Sequence, residues 1–156
     1  MTVKNPGLRL VGSDGVAGKT VQWTVLSESP SSCAAKAAVG GSETTKPSEV
    51  SGAIKALLKE YNSKSKITFD DILDFHVRFE SIHPFQDGNG RVGRLIMFKE
   101  CLKHNIVPFI ITEELKMYYC RGIKNWKDER GFLRDTCLTG QDAMKDTLNY
   151  FGIKYE

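Results

Sequence analysis

An all-α domain with a minor β element is the fold class that the sequence predicts. Three observations carry it: apolar residues recur at helical spacing in five stretches after Pro47, a capping signature stands at Thr68, and only two short β-like runs occur, at residues 8–11 and 21–26. The first helix starts at Pro47, which suits a first turn, runs through Val50, Ile54, Leu57, Leu58 and Tyr61 on one face, and ends at Asn62-Ser63. The second has Thr68 as N-cap with Asp71 three residues on, a variant of the capping box, and Phe69, Ile72, Leu73, Phe75, Phe79 and Ile82 as its apolar set. It should stop near Ile82, because Pro84 disfavours the helical region for His83.

A third helix, about 90–104, is apolar on most sides and reads as central and buried. Residues 106–111 form a buried connector. Two further helices span about 113–125, with Leu115, Tyr118, Tyr119 and Ile123, and about 131–150, with Phe132, Leu133, Cys137, Leu138, Met144 and Leu148. The front of the chain differs: six of the 14 glycines precede Pro47, and no period is sustained there. Hairpin and loop are therefore expected before Pro47.

With 156 residues, 40% hydrophobic and 26% charged, the chain suffices for one core. Twenty-two basic against 19 acidic side chains leave +3, too weak a bias to argue for nucleic acid or a membrane surface. No apolar stretch reaches the ~18 residues a membrane helix needs, and no signal-peptide pattern opens the chain, so the expected location is cytoplasmic. Cys33, Cys101, Cys120 and Cys137 contain no C-x-x-C and suit reduced thiols.

Some familiar signals fail. Residues 12–20, GSDGVAGKT, place Ser13 where a phosphate-binding P-loop requires glycine, and a strand-like run follows in place of a helix. Asp87-Gly88-Asn89-Gly90 opens like a calcium loop but puts Arg91 at position five and Phe98 at position twelve. His76, His83 and His104 lack zinc-ligand spacing, and His76 reads as a packing or surface residue. Tyr118, Tyr119 and Trp126 could stack on bases but sit at the spacing of core aromatics.

The segment His83-Pro84-Phe85-Gln86-Asp87-Gly88-Asn89-Gly90-Arg91-Val92-Gly93-Arg94 joins two apolar helices, yet it is chemically loaded. Gly88, Asn89 and Gly90 tolerate positive φ, so successive N–H groups can converge into an anion nest at the start of the next helix. Arg91 and Arg94 occupy that helix's first turn, where the macrodipole makes cations unfavourable by ~0.3–1 kcal/mol each. An anion such as phosphate would compensate. A structural reading, in which Asp87 and other acids neutralise the arginines, leaves the doubled arginines and His83 unexplained.

These twelve residues match the signature H-x-F-x-[DE]-G-N-G-R-x-x-R at every specified position, so the chain resembles the Fic-domain family. The likeness extends from Val39, Gly40, Gly41, Ser42, Glu43 and Thr44, similar to the family's target-binding flap, to beyond Trp126. It implies a Fic-type helical core with a small β-hairpin flap. It further implies transfer of AMP from ATP, with Mg²⁺, onto a Ser, Thr or Tyr hydroxyl of a target protein. On that likeness His83 is the general base, Phe85 a core anchor, Asp87 the Mg²⁺ ligand, Gly88, Asn89 and Gly90 the α/β-phosphate cradle, and Arg91 and Arg94 contacts for the outer phosphates. An imidazole exchanges protons near neutral pH, which suits His83, and Mg²⁺ commonly takes one carboxylate plus phosphate oxygens, which suits Asp87. Gly90 stands where the family's phosphate-moving, Doc-like branch has lysine, which favours AMP transfer. The family's inhibitory motif [ST]-x-x-x-E-[GN] is missing; residues 24–29, with Glu28, come nearest, so a separate inhibitory partner is possible. Residues before about Ala38 do not resemble the family, so the likeness divides the chain into an irregular or β-like segment, 1–38, and a Fic domain, 39–156, and leaves the alternative of a nucleotide-binding or interaction module without catalysis.

Overall fold

The computed structural model describes residues 38–39 and 42–155. Both β-like runs, residues 12–20, the Glu28 stretch, Cys33, and Gly40 and Gly41 of the expected flap lie outside the described residues. The chain divides at Ala34 and Ala35 into two units, and the described residues all belong to the second.

Five helices form that unit: α1 Pro47–Asn62, α2 Phe69–Ile82, α3 Asn89–Lys103, α4 Glu113–Asn125 and α5 Gly131–Tyr150. Before them β1 (Ala38–Val39) pairs antiparallel with β2 (Ser42–Glu43), Ala38 opposite Glu43 and Val39 opposite Ser42. The class is all-α.

Local signals set the helix boundaries. Pro47 opens α1 where a backbone N–H would have no intrahelical partner, and its ring nitrogen has no N–H to leave unsatisfied. At α2 the capping box is complete: Thr68 Oγ1 accepts from the Asp71 N–H at 3.2 Å, and Asp71 Oδ2 accepts from the Thr68 N–H at 2.8 Å. α2 is the hub, packing against α1, α3 and α5, while α4 lies along α5. Its Ile72, Leu73 and Val77 meet Met97 and Cys101 of α3, Tyr119 of α4, and Leu133 and Cys137 of α5, with Phe109 and Trp126 closing the cluster. Tyr119 and Trp126 are thus core residues; Trp126 Nε1 donates to Asp74 Oδ1 at 2.9 Å, the partner a buried indole requires. Burial pushes the Cys101 thiol up to about 12, so it packs as a small apolar side chain.

Two readings need correction. α3 is not buried on all sides: Leu95 is 60% and Leu102 56% exposed, because α3 packs chiefly on α2 and its far face has no helix among the described residues. The connector is only partly buried, since Phe109 enters the core edge-on to Phe69 while Ile110 points outward. No helix among the described residues is long and apolar enough to cross a membrane.

The α4–α5 contact is closest at Gly122, where a Cβ would stand 2.6 Å from Leu133 Cα. Backbone cannot yield as a side chain does. Gly122→Ala should therefore destabilise the fold by about 1–3 kcal/mol, read as a lowered midpoint in denaturant or thermal unfolding.

Candidate active site

The site begins where α2 ends. His83 N–H donates to Phe79 O at 3.1 Å as the helix's last turn closes, and Pro84 forbids continuation. The stop is where the sequence places it. The conformation is not: His83 is left-handed, at φ 55° and ψ 60°, where a pre-proline residue would ordinarily be extended. A non-glycine residue held there stores on the order of 1–3 kcal/mol, the kind of strain that clusters at functional sites. Its Nδ1 is buried and has no hydrogen-bond partner among the described residues. Thr45 N–H donates to Ser81 O at 3.3 Å, tying the segment that follows β2 to the turn ending in His83.

The loop beyond is held by one side chain. Phe85 packs on Phe79, ring centroids 6.3 Å apart. Buried Asn89 then clasps the Phe85 backbone twice, accepting its N–H on Oδ1 at 2.9 Å and donating Nδ2 to its carbonyl at 2.7 Å. The carboxamide is thereby committed to shaping the loop.

Gly88, at φ 81°, is the N-cap of α3, and no side chain caps the first turn, which also lacks an acidic residue. The first intrahelical bond runs from Val92 N–H to Gly88 O, so the amides of Asn89, Gly90 and Arg91 have no partner within the helix. This bare helix start lies at the positive end of the macrodipole, where free amides and dipole together favour an anion. Arg91 Nη2 donates to Asp87 Oδ2 at 3.0 Å on the outer face, in an exposed i,i+4 pair worth little in stability. The Asp87 side chain is 90% exposed and can accept a hard cation beside phosphate oxygens. Among the described residues no group of three or more His, Cys, Asp or Glu side chains is placed to hold a metal ion.

Arg94 folds back along α3, its Nη1 3.1 Å from the point a Gly90 Cβ would take. Behind it lies a node the sequence did not reveal. Gly93 faces α2 so closely that a Cβ would stand 2.5 Å from Glu80 Oε1 and 2.9 Å from His76 Cε1. His76 Nε2 is hydrogen-bonded to the Tyr119 hydroxyl, 43 residues away in the chain. Glu80 Oε1 lies 4.0 Å from His76 Nε2 and has no hydrogen-bond partner among the described residues. Burial holds the His76 pKa down to about 4, with the Arg94 charge also lowering it, so the ring is neutral at pH 7. Burial conversely raises that of Glu80, against the pull of Arg94.

His83, Asp87, Gly88, Asn89, Gly90, Arg91 and Arg94 thus lie on one turn and one helix start. Of the flap residues, Val39, Ser42 and Glu43 are in the β1–β2 pair and Thr44 follows it half-buried. His76 and Glu80 share a face of α2 at i,i+4, but no spacing in the sequence joins them to Tyr119 of α4 or to Gly93 of α3, so the three were missed as site neighbours.

Two outcomes follow from this geometry. If His83 is strained, His83→Gly should be more stable than His83→Ala by about 1 kcal/mol, measured by urea unfolding of the two variants. For His76 the folded pKa lies below the ordinary 6.5, so the unfolded chain binds more protons between the two values; the stability it contributes is full above about 6.5 and is lost as pH falls toward 4. His76→Gln should flatten the unfolding free energy over that window, and an unchanged slope would exclude His76 as its source.

Comparison with known proteins places this turn in context. The family model described as the Fic/DOC family matches residues 17–101, more than half the chain and the whole of the segment from His83 to Arg94. Among curated proteins, the chain is 30% identical to protein adenylyltransferase fic-1 of Caenorhabditis elegans and 32% identical to protein adenylyltransferase Fic of Aedes aegypti, over 101 residues in each case. Those matches cover 62% of this chain but 20% of each relative. A probable protein adenylyltransferase of Aquifex aeolicus is 27% identical over 82 residues, half of this chain and 25% of that protein. The chain spans about a fifth to a quarter of the length of these relatives. With a family match over more than half its length and the left-handed Gly88 opening α3 within that match, the chain belongs to the Fic/DOC family.

Proposed function

We propose that this chain transfers AMP from ATP to a hydroxyl side chain of a target protein. The observation that carries the reading is the uncapped start of α3, with left-handed Gly88, unpartnered first-turn amides and two arginines, lying one short loop from His83. The names of the relatives support the same class of reaction, a nucleotidyl transfer.

The steps follow from these groups. A target Ser, Thr or Tyr oxygen attacks the α-phosphorus while the His83 imidazole takes its proton; an O–P bond forms, the bond to pyrophosphate breaks, and the leaving pyrophosphate carries away the electron pair. Amides of the Gly88–Asn89–Gly90 turn hold the α- and β-phosphates, and Arg94, with Arg91, meets charge on the leaving group. Because Asn89 already spends its carboxamide on Phe85, its share in the cradle is its backbone N–H. Mg²⁺ bound at Asp87 would neutralise phosphate charge; Arg91 must then give up part of its contact with that carboxylate. β1 and β2 serve as the target-binding flap, offering an edge to an extended segment, and the Thr45–Ser81 bond keeps that edge near His83.

Incubation of the full chain with cell lysate and ATP labelled at either α or γ tests the reading. Label should enter protein from the α position only. His83→Ala should lower incorporation by about 10²-fold or more with ATP affinity held within a few fold, because proton removal acts in the transition state. Incorporation from the γ position, or undiminished transfer by the variant, would overturn it.

A further inference from the structure

Three departures from local stability converge behind Arg94. Glu80 is a carboxylate 95% buried, and one of its oxygens has no hydrogen bond among the described residues, a penalty a globular interior rarely keeps. Gly90 and Gly93 weaken the first turns of α3, where alanine would serve the helix better. Arg94 itself sits at the wrong end of the helix dipole. Each is unexplained alone.

Together they describe a seat. With no Cβ at Gly90 or Gly93, the flank of α3 is bare; a Gly90 Cβ would lie 3.1 Å from Arg94 Nη1 and 3.9 Å from Glu80 Oε1, so the guanidinium and the buried carboxylate approach the same point. The Arg94 charge acts on Glu80 through this gap. Tyr119 supplies a second hold, since its hydroxyl, fixed on the other side by His76, lies close enough to the Arg94 guanidinium to feel its charge.

We propose that Glu80 and Tyr119 are positioning residues for Arg94, holding its guanidinium over the bare Gly90 flank of α3 so that it meets the outer phosphates of a nucleoside triphosphate. The proposal rests on the nucleotide-binding reading above. Neither residue touches substrate. Both act through the guanidinium fork, whose planar geometry rewards alignment.

The test is calorimetric titration of the full chain with ATP and with AMP, Mg²⁺ present, for the wild type, Arg94→Ala, Glu80→Gln and Tyr119→Phe, with the unfolding midpoint of each. The wild type should prefer ATP, and Arg94→Ala should abolish that preference. Glu80→Gln, which keeps shape and removes charge, and Tyr119→Phe, which removes one hydroxyl, should each cut the ATP-over-AMP ratio by about fivefold or more while AMP affinity stays within about twofold. Because Glu80→Gln retains the side-chain volume, it keeps the test decisive if Tyr119→Phe folds poorly. A merely structural role would lower the midpoint, or both affinities together, with the ratio intact; that result overturns the proposal while leaving Arg94 in place. A preference that survives in Arg94→Ala overturns the assignment of Arg94 first, and this proposal with it.

Discussion

The double hydrogen bond between the Asn89 carboxamide and the Phe85 backbone is the constraint on which the rest of the site depends. It satisfies both polar groups of a half-buried peptide with one side chain, so the loop needs no further partner to bring its two ends together. α3 lacks a side-chain cap because its N-cap residue, Gly88, has no side chain, and Asn89 beside it turns its carboxamide back to Phe85. The amides that remain are available to a ligand, and the geometry that exposes them is the geometry that closes the loop.

Below the loop, the distance between α2 and α3 is set by what Gly93 omits. His76 and Glu80 occupy the space a Cβ would take, so α3 lies against α2 more closely than any side chain would permit. The neutral His76 ring suits this contact because its Tyr119 bond satisfies Nε2 with no charge to desolvate. Close approach here fixes the height of the α3 start relative to His83, which hangs from the end of α2 one short loop away.

Much of this was legible in the chain. Thr68 and Asp71 announced the start of α2, Pro84 its end, and twelve consecutive residues announced the turn, because caps, prolines and glycines act through their own backbone and need no distant partner. What was not legible depended on tertiary contact. Asn89 reads as part of the cradle, and its clasp on the Phe85 backbone shows only once the fold sets Phe85 beside it. Leu95 and Leu102 read as interior because apolar residues near the core and apolar residues on an open face look the same in one dimension. His76, Glu80 and Tyr119 form a node only when Tyr119 of α4 meets α2, and in the sequence alone His76 reads as a packing or surface residue.

Strain at the α2–α3 turn is tolerable because the elements around it are independently secured. A left-handed His83 and an unpartnered Glu80 oxygen are each worth on the order of 1–3 kcal/mol against folding, a large share of the typical 5–15 kcal/mol for a domain. Neither can relax locally. His83 is followed by Pro84 and tied through its own N–H to Phe79, while Glu80 sits one turn up the same helix between His76 and Gly93. To release either, α2 would have to unwind from its C-terminal end, and α2 is the helix that the capping box, the Trp126–Asp74 bond and the bidentate Arg78–Glu60 pair hold along the rest of its length. The cost is therefore borne by the helix with the most partners, which is why the turn can keep a histidine and a carboxylate where stability alone would place glycine and leucine.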